Sequence, residues 1–256
     1  MTDATPAALP QFYRAVTPLL SQLHQKLIFR DRDPADYRFG AASPAIVLTT
    51  DEFIPAEADY PIVFASAETP MPVVLTGMPG ATNRHVDADG QWAAERYIPA
   101  YVRRYPFLLA KLNENATDLT LCFDSESDRF VEGDDGNLFD GDEPTALTRD
   151  VLGFCEQFEG AIRRTENFVR ELQDLDLLIE AEASMPGEDG TPRVLRGFQM
   201  VSEEKLKSLR GDQYRKLVQS GALALIFAHL FSLRRIGSLF AQEPQPEQHT
   251  ASSTGR

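Results

Sequence analysis

The most regular pattern in the sequence is helical and runs from Thr145 to Leu175. A mostly apolar set of side chains recurs there at intervals of three and four residues, at Val151, Cys155, Phe158, Ile162, Thr165, Val169, Leu172 and Leu175. This spacing places them on one face of an α-helix. About 30 residues at about 1.5 Å each predict a helix of about 45 Å. We therefore expect either a spine that joins two parts of the fold or a homo-oligomer that forms through helix 146–178.

Short β-branched runs dominate the part of the chain before this helix. They are separated by proline, aspartate and glycine clusters, which is typical of antiparallel strands joined by turns. The runs are Ala45–Thr49, Ile62–Ala65, Pro72–Thr76 and Thr117–Phe123. Upstream of them, Pro18 interrupts the apolar pattern between Phe12 and Phe29. The proline predicts an extended segment there, followed by a strand or a short helix.

A β-hairpin is predicted after the long helix. Two segments, Leu177–Glu182 and Arg193–Met200, flank the stretch Met185–Pro192, whose composition is that of a turn. Ser202 follows as a good helix N-cap, with two glutamates in the first turn after it. We expect Gly211 to end that helix, because glycine favours helix C-termini.

The sequence as a whole predicts an α+β fold. Residues 11–145 form an antiparallel β-rich part, and residues 146–241 contain the long central helix, the C-terminal hairpin and further helices from residue 213 onwards. Residues 1–10 and 242–256 have the composition of a disordered leader and tail.

The segment Trp92–Phe107 has the least usual composition. It holds the only tryptophan, three of the seven tyrosines, two prolines and three arginines. Two prolines seven residues apart do not fit inside one regular helix. We expect a helical turn from about Trp92, a break near Pro99 and a short helix that ends before Pro106.

Two interpretations of this segment stay open. In the first it is a structural corner, where Arg103 and Arg104 are tied to carboxylates or to helix-end carbonyls. In the second it is a recognition surface, where rings stack on a sugar, a peptide or another ring while the arginines hold a carboxylate or phosphate. The candidate ligand-binding residues are Trp92, Arg96, Tyr97, Tyr101, Arg103 and Arg104.

The same segment carries a family resemblance. Y-I-P-A-Y-V-R-R-Y-P-F, from Tyr97 to Phe107, resembles the signature of the bacterial SapC family. Three further motifs resemble family motifs and occur in the same order along the chain: Tyr60 to Phe64, Asn137 to Thr145, and Gly221 to Leu233. The resemblance extends from about His24 to Leu239. It departs from the pattern after Asn83, where Arg84-His85 replaces an expected apolar pair.

The resemblance implies a protein of bacterial origin linked by name to surface-layer systems, without an established reaction. It suggests a non-enzymatic binding or accessory protein in surface-layer, peptide or glycan handling. A peptide permease shares the name, but the longest apolar run, Ala222–Phe231, is about half of what a membrane-spanning helix needs. We therefore expect a soluble protein without a transmembrane segment.

The net charge and the composition of the first ten residues restrict the binding partners and the cellular location that we expect. The net charge of −14 argues against nucleic acid and anionic membranes as partners, because these require a cationic surface. A protein, small-molecule or glycan ligand is expected instead. The first ten residues contain an acid and lack the basic and apolar regions of a secretory signal. We expect a cytoplasmic location, and export by another route stays open.

An acidic stretch at 124–143 accounts for much of the charge. It holds nine acidic residues and one basic residue, Arg129. The stretch therefore contributes −8 of the net charge of −14. Calcium loops need a glycine at the sixth position, whereas the registers that begin at Asp124 and Asp134 place Arg129 and Phe139 there. We expect a solvated loop, with the alternative that it folds over the two arginines at 103–104 as a clasp.

The remaining reactive side chains give no catalytic pattern. Cys122 and Cys155 are expected to be reduced core thiols, and His85 with Asp87 to be solvated loop residues. We predict no metal and no cofactor. The alternative function is an enzyme of unknown reaction, whose site would combine His24, Arg103, Arg104 and carboxylates of the acidic loop.

Overall fold

The computed structural model describes residues 9–31, 35–113, 116, 118–186 and 191–241. Antiparallel sheets and helices share this part of the chain, and the long helix lies between the N-terminal strands and the C-terminal helices. The prediction of an α+β fold is confirmed. The predicted disordered leader and tail lie outside the described residues, apart from the last two positions of the leader.

The main sheet combines strands from both halves of the chain. Its order is β11-β12-β4-β5-β3, and every neighbouring pair is antiparallel. The strands are β3 (Ala45–Val47), β4 (Ile62–Ala65), β5 (Pro72–Leu75), β11 (Leu178–Pro186) and β12 (Pro192–Val201). The predicted hairpin is β11–β12, and it joins the N-terminal strands where Phe198 and Gln199 pair with Ala65 and Phe64.

A smaller sheet lies beside the main one. It has the order β1-β7-β6, and two short ribbons pair β2 with β8 and β9 with β10. The strands are β1 (Val16–Pro18), β2 (Leu27–Phe29), β6 (Phe107–Ala110), β7 (Thr120–Asp124), β8 (Phe130–Glu132), β9 (Phe139–Asp140) and β10 (Glu143–Pro144). β6 was not predicted, because Phe107–Ala110 is a short apolar run that periodicity alone does not assign to a strand.

The long helix α4 spans Ala146–Asp174 and has 29 residues, which confirms the predicted element. The Thr145 hydroxyl caps it by accepting from the backbone N–H of Thr148, and the Thr148 hydroxyl donates to the carbonyl of Leu138. Cys155 on α4 packs in the core of the small sheet. Leu172, in the last turn of α4, packs in the main core. The helix therefore joins the two cores within one chain.

The remaining helices are short. They are α1 (Ser21–His24), α2 (Phe53–Ala56), α3 (Ala100–Arg103), α5 (Glu203–Lys207), α6 (Gly211–Ser220), α7 (Ala222–Ser232) and α8 (Ile236–Phe240). Ser202 caps α5 as predicted, by accepting from the N–H of Lys205. Gly211 begins α6 instead of ending α5, which is a correction. α5 ends earlier because the Ser208 hydroxyl donates to the carbonyl of Lys205.

The stretch Ala222–Phe240 is long and apolar enough to cross a membrane by length and composition, with 19 residues and a mean hydropathy of 1.4. It is longer than the apolar run expected from the sequence, because the helix continues through Arg234 and Arg235. One third of it is buried inside the protein. Ile226 is among the buried residues and packs in the main core.

The α7 helix is attached to the main sheet through His229, which is fully buried. Its Nε2 accepts a hydrogen bond from the N–H of Val201 at 3.1 Å, and its Nδ1 lies 2.8 Å from the carbonyl oxygen of Ile62. These contacts require a neutral ring that carries its proton on Nδ1. Burial lowers the pKa of His229 to about 4, although the bond to Ile62 opposes this shift.

We predict that His229 makes folding sensitive to mild acid. Its folded-state pKa lies below the ordinary value, so its contribution is complete above about pH 6.5 and is lost as the pH falls towards 4. The loss amounts to about 3 kcal/mol of unfolding free energy. Denaturant titrations between pH 7.5 and 4 measure it, with His229→Gln for comparison. We expect the difference in unfolding free energy between the native chain and His229→Gln to shrink as the pH falls. A difference that does not depend on pH would contradict the prediction.

Candidate functional site

The Trp92–Phe107 segment follows a course that only partly matches the prediction. Trp92 pairs with Val86 in an isolated β-bridge, so the helical turn predicted from Trp92 is wrong. The reason is a long-range contact, since the loop folds back and the N–H of Ala93 donates to the carbonyl of His85. The rest is confirmed: α3 begins directly after Pro99 and ends before Pro106.

A buried carboxylate, that of Glu52, holds the start of α3. Its Oε1 accepts from the N–H of Ala100 at 2.6 Å and from the Tyr97 hydroxyl at 3.0 Å. Its Oε2 accepts from the N–H and the hydroxyl of Thr49. The four donors fix the segment relative to the 3₁₀ turn Thr50–Glu52. Burial, followed by the charge of Glu52, raises the pKa of Tyr97 to about 12.

Three of the six candidate ligand-binding residues are engaged by the protein itself. The Trp92 indole donates to the Tyr60 hydroxyl, which in turn donates to the carbonyl of Tyr97. Arg96 forms an ion pair of 2.7 Å with Asp59, and Asp59 also accepts from the N–H of Tyr97. Trp92, Arg96 and Tyr97 therefore fix the shape of the segment.

Arg104 is buried between two aromatic rings. Its guanidinium carbon lies 4.3 Å from the ring centre of Tyr101 and 4.5 Å from that of Phe158. Its Nη1 lies 3.6 Å from Oε1 of Glu159 on α4. Its Nε is buried and has no hydrogen-bond partner among the described residues. Tyr101 is fixed as well, because its hydroxyl donates to the carbonyl of Gln11.

The predicted clasp between the acidic loop and the two arginines is corrected by these contacts. The carboxylate that pairs with Arg104 belongs to Glu159, because α4 passes directly over the buried guanidinium. Burial raises the pKa of Glu159, and the charge of Arg104 opposes this shift. Arg103 is exposed, with its Nε donating to the carbonyl of Ile98 at 3.0 Å and its Nη2 to the Tyr97 hydroxyl at 3.3 Å.

Arg103 and Arg104 line a cavity of about 290 Å³, which we call the arginine cavity. A third arginine, Arg129, and two aspartates, Asp31 and Asp150, complete its charged lining. The other lining residues are mostly apolar and come from β2, the turn before β6, the start of β6 and the first turns of α4: Phe29, Tyr105, Phe107, Leu147, Val151, Phe154 and Cys155. The structure thus brings two of the six predicted residues to one cavity.

Arg129 is a site residue that the sequence reasoning missed. It is buried, its Nη2 donates to the carbonyl of Asp36 at 2.7 Å, and its guanidinium lies over the Phe39 ring at 5.5 Å. It also lines a neighbouring cavity of about 280 Å³ on the other side of Tyr105. One signal was present in the sequence, since Arg129 is the single base among nine acids.

The acidic stretch 124–143 is exposed at eight of its nine acids, as predicted, but it is not a continuous loop, because it contains β8 and β9. Asp124 is the exception, because it is fully buried and accepts from the N–H of Ala15 at 2.9 Å and from the Tyr105 hydroxyl at 3.0 Å. In the described ranges, no group of three His, Cys, Asp or Glu side chains is placed to hold a metal ion. The Asp87 carboxylate accepts from the backbone N–H of Asp89 and Gln91 in its own loop.

The other reactive side chains either lie outside the arginine cavity or are buried in an unreactive form. His24 accepts from the N–H of Leu20 and packs edge-on against Phe123, and it does not line the arginine cavity. Cys122 and Cys155 are buried and unpaired, which confirms their positions in the core. Burial raises the pKa of Cys155 to about 12, so its thiolate is negligible at neutral pH.

We predict that Glu52→Gln destabilises the protein by about 2 to 3 kcal/mol. The side-chain NH₂ of glutamine would face N–H and O–H groups that now donate to a carboxylate oxygen. Glu68→Gln is the matched control, since Glu68 is exposed. Chemical denaturation at pH 7.5 measures both variants. Equal unfolding free energies for Glu52→Gln and the control would show that the carboxylate does not hold the segment.

The comparisons with known proteins identify a family. The SapC family model matches residues 19–239 of the 256. No curated protein and no solved structure gives a significant match to the chain. The match includes β6, α3, α4 and α7, and with them the residues that line the arginine cavity. The chain therefore belongs to the SapC family.

Proposed function

We propose that this protein is a non-enzymatic binding protein and that the arginine cavity is its ligand site. The ligand class that fits the cavity is a small zwitterion with an apolar side chain, such as an apolar amino acid or the end of a short peptide. The observation that carries the proposal is the lining itself, where three arginines and two aspartates surround an apolar floor. Peptide handling is the cellular role that this ligand suggests.

The arginines supply a site for a carboxylate. Guanidinium groups hold carboxylates with paired, charge-assisted hydrogen bonds. The Arg104 guanidinium is already fixed between the Tyr101 and Phe158 rings, and its buried Nε lacks a hydrogen-bond partner among the described residues. Arg103 is exposed at the rim, where it can reach a ligand without losing buried contacts. An inner donor and an outer donor that are both held in place suit the capture of a small anion, because little ordering is needed on binding.

The aspartates supply a site for an ammonium group. Asp31 and Asp150 are both exposed and both line the cavity. Within the described ranges, neither has a lysine or arginine nitrogen within 4.0 Å. A ligand that carries only an anion would be repelled by these carboxylates, whereas a zwitterion satisfies both signs of charge. An uncharged sugar would leave both sets of charges unused.

The floor of the cavity favours an apolar side chain. Phe29, Phe107 and Phe154 contribute rings, and Leu147 and Val151 contribute aliphatic groups. Burying an apolar side chain of the ligand against them contributes about 25 cal/mol per Å² of area removed from water. The volume of about 290 Å³ is near the lower end of ligand sites, which suits an amino acid or a dipeptide.

Binding is preferred to catalysis because of the state of the nearest reactive groups. Cys155 is the thiol that lines the cavity, and burial raises its pKa to about 12. His24, which the enzyme hypothesis places beside the arginines, packs instead against Phe123. The proposal therefore needs no proton transfer or covalent step from these residues.

We predict that leucine, phenylalanine or their dipeptides bind to the full chain, and that blocking either end weakens binding. N-acetylation removes the ammonium that the aspartates attract, and amidation removes the carboxylate that the arginines attract. Each lost charge-assisted contact lowers the affinity about tenfold or more. Isothermal titration calorimetry of the free, acetylated and amidated forms measures this directly.

The variants Arg103→Ala and Asp150→Asn test the same site from the side of the protein. Both residues are exposed at the rim, so the fold tolerates their replacement. Asp174→Asn is the matched control, because Asp174 is exposed at the far end of α4. We expect the two rim variants to lose affinity about tenfold and the control to keep it. Equal affinities in all three variants, or no binding of any zwitterion to the native chain, would refute the proposal.

A further inference from the structure

The outer face of α7 is apolar and uncovered. Ala224, Phe227 and Phe231 are exposed and recur at intervals of three and four residues, which places them on one side of the helix. The rings of Phe227 and Phe231 are stacked, with their centres 5.9 Å apart. Phe231 is 56% exposed. The opposite side of α7, which includes Ile226 and His229, is buried in the protein.

Exposed apolar side chains are concentrated around this face. Among the described residues, eleven large apolar side chains are exposed, and four of them are Tyr214, Val218, Phe227 and Phe231. Tyr214 and Val218 belong to α6, which packs against α7. Single exposed apolar residues are normal on a protein surface, whereas a cluster of them marks a contact with an apolar partner.

The same helices form the basic part of an acidic chain. The sequence from 213 to 242 contains no aspartate or glutamate and four basic residues: Arg215, Lys216, Arg234 and Arg235. This segment carries +4, so the rest of the chain carries −18 of the net −14. At physiological ionic strength, exposed charges more than about 8 Å apart are largely screened from each other. The charge that a partner of α7 meets is therefore the local one.

Two of these basic residues are unpaired. Arg215 and Arg234 are exposed, and neither has a carboxylate oxygen within 4.0 Å among the described residues. Lys216, by contrast, lies 3.7 Å from Glu171. Arg234 follows Phe231 by three residues, in the 3₁₀ turn after α7, which places it on the side of the exposed rings. The apolar face thus ends at an uncompensated positive charge.

We propose that the outer face of α7 docks on an anionic lipid surface, with α7 lying in the plane of the headgroups. Phe227 and Phe231 then enter the boundary between headgroups and acyl chains, while Arg215 and Arg234 contact lipid phosphates. α7 does not span the bilayer in this arrangement, because its other side is buried against the main core. The proposal is independent of the arginine cavity, which contains no residue of α6 or α7.

A lipid surface fits this face better than a protein partner does. The stretch Ala222–Phe240 has the length and composition of a membrane helix, yet only one third of it is buried. Basic residues without acids among them match a surface of one sign of charge, which anionic headgroups present uniformly. The expectation that anionic membranes are not partners rests on the net charge of the whole chain and does not take this local distribution into account.

Flotation of the full chain with lipid vesicles tests the proposal. Vesicles of phosphatidylglycerol and phosphatidylcholine in equal parts are compared with vesicles of phosphatidylcholine alone. We expect binding to the anionic vesicles that decreases as sodium chloride is added, and binding to the neutral vesicles that is about tenfold weaker or more. Absence of binding to the anionic vesicles, or equal binding to both kinds, overturns the proposal.

The variants Phe231→Ser and Arg234→Gln locate the docking face. We expect Phe231→Ser to weaken binding to anionic vesicles about tenfold and Arg234→Gln about fivefold. Leu112→Ser and Lys111→Gln are the matched controls, because both residues are exposed directly after β6 and Leu112 is 53% exposed. Thermal melts check that every variant is folded. Binding that is unchanged in both α7 variants, or that falls equally in the controls, overturns the proposal.

A second copy of the chain is the competing occupant of this face. Analytical ultracentrifugation without lipid, on the native chain and on Phe231→Ser, separates the two. We expect the same mass for both proteins, because the face meets lipid and not another copy. A native dimer that Phe231→Ser dissociates, together with vesicle binding that this variant retains, would assign the face to self-association and overturn the proposal.

Discussion

The buried carboxylate of Glu52 is the contact on which the shape of the site depends. It collects donors from the turn after β3, from Tyr97 and from the first residue of α3. A buried carboxylate is stable only when its oxygens are satisfied, so the three segments must meet at this point. α3 is thereby oriented so that Arg104 lies between Tyr101 and Phe158 and lines the arginine cavity.

The arginine cavity shows how an acidic protein can present a locally basic lining. Most carboxylates of the acidic loop are exposed, where water screens them from the interior. The arginines that line the arginine cavity are instead held by rings, by backbone carbonyls or by a single carboxylate such as that of Glu159. Local charge therefore differs in sign from net charge. The composition argues against binding to nucleic acid, but it does not bear on a pocket for one small anionic group.

The sequence predicts those parts of the protein that depend on neighbouring residues along the chain. The α4 helix, the β11–β12 hairpin and the Ser202 cap follow from periodicity, turn composition and capping preference. The turn expected at Trp92 was wrong, because Val86 pairs with it from outside the local pattern. Arg104 and Arg129 acquire their surroundings only when Glu159, Tyr105 and Phe39 are brought together. The class of fold is thus readable from the sequence, whereas the cavity is a product of tertiary contacts.

The most direct test of the account is the side-chain Nε–H resonance of Arg104 in nitrogen-15 NMR. The central claim is that the Arg104 guanidinium, which lines the arginine cavity, contacts the ligand. Assignment by Arg104→Lys, followed by titration with a leucine dipeptide, provides the measurement. The account predicts that the Arg104 resonance moves in a saturable manner while that of Arg170, exposed on α4, stays in place. An Arg104 resonance that is unaffected by every zwitterion tested would contradict it.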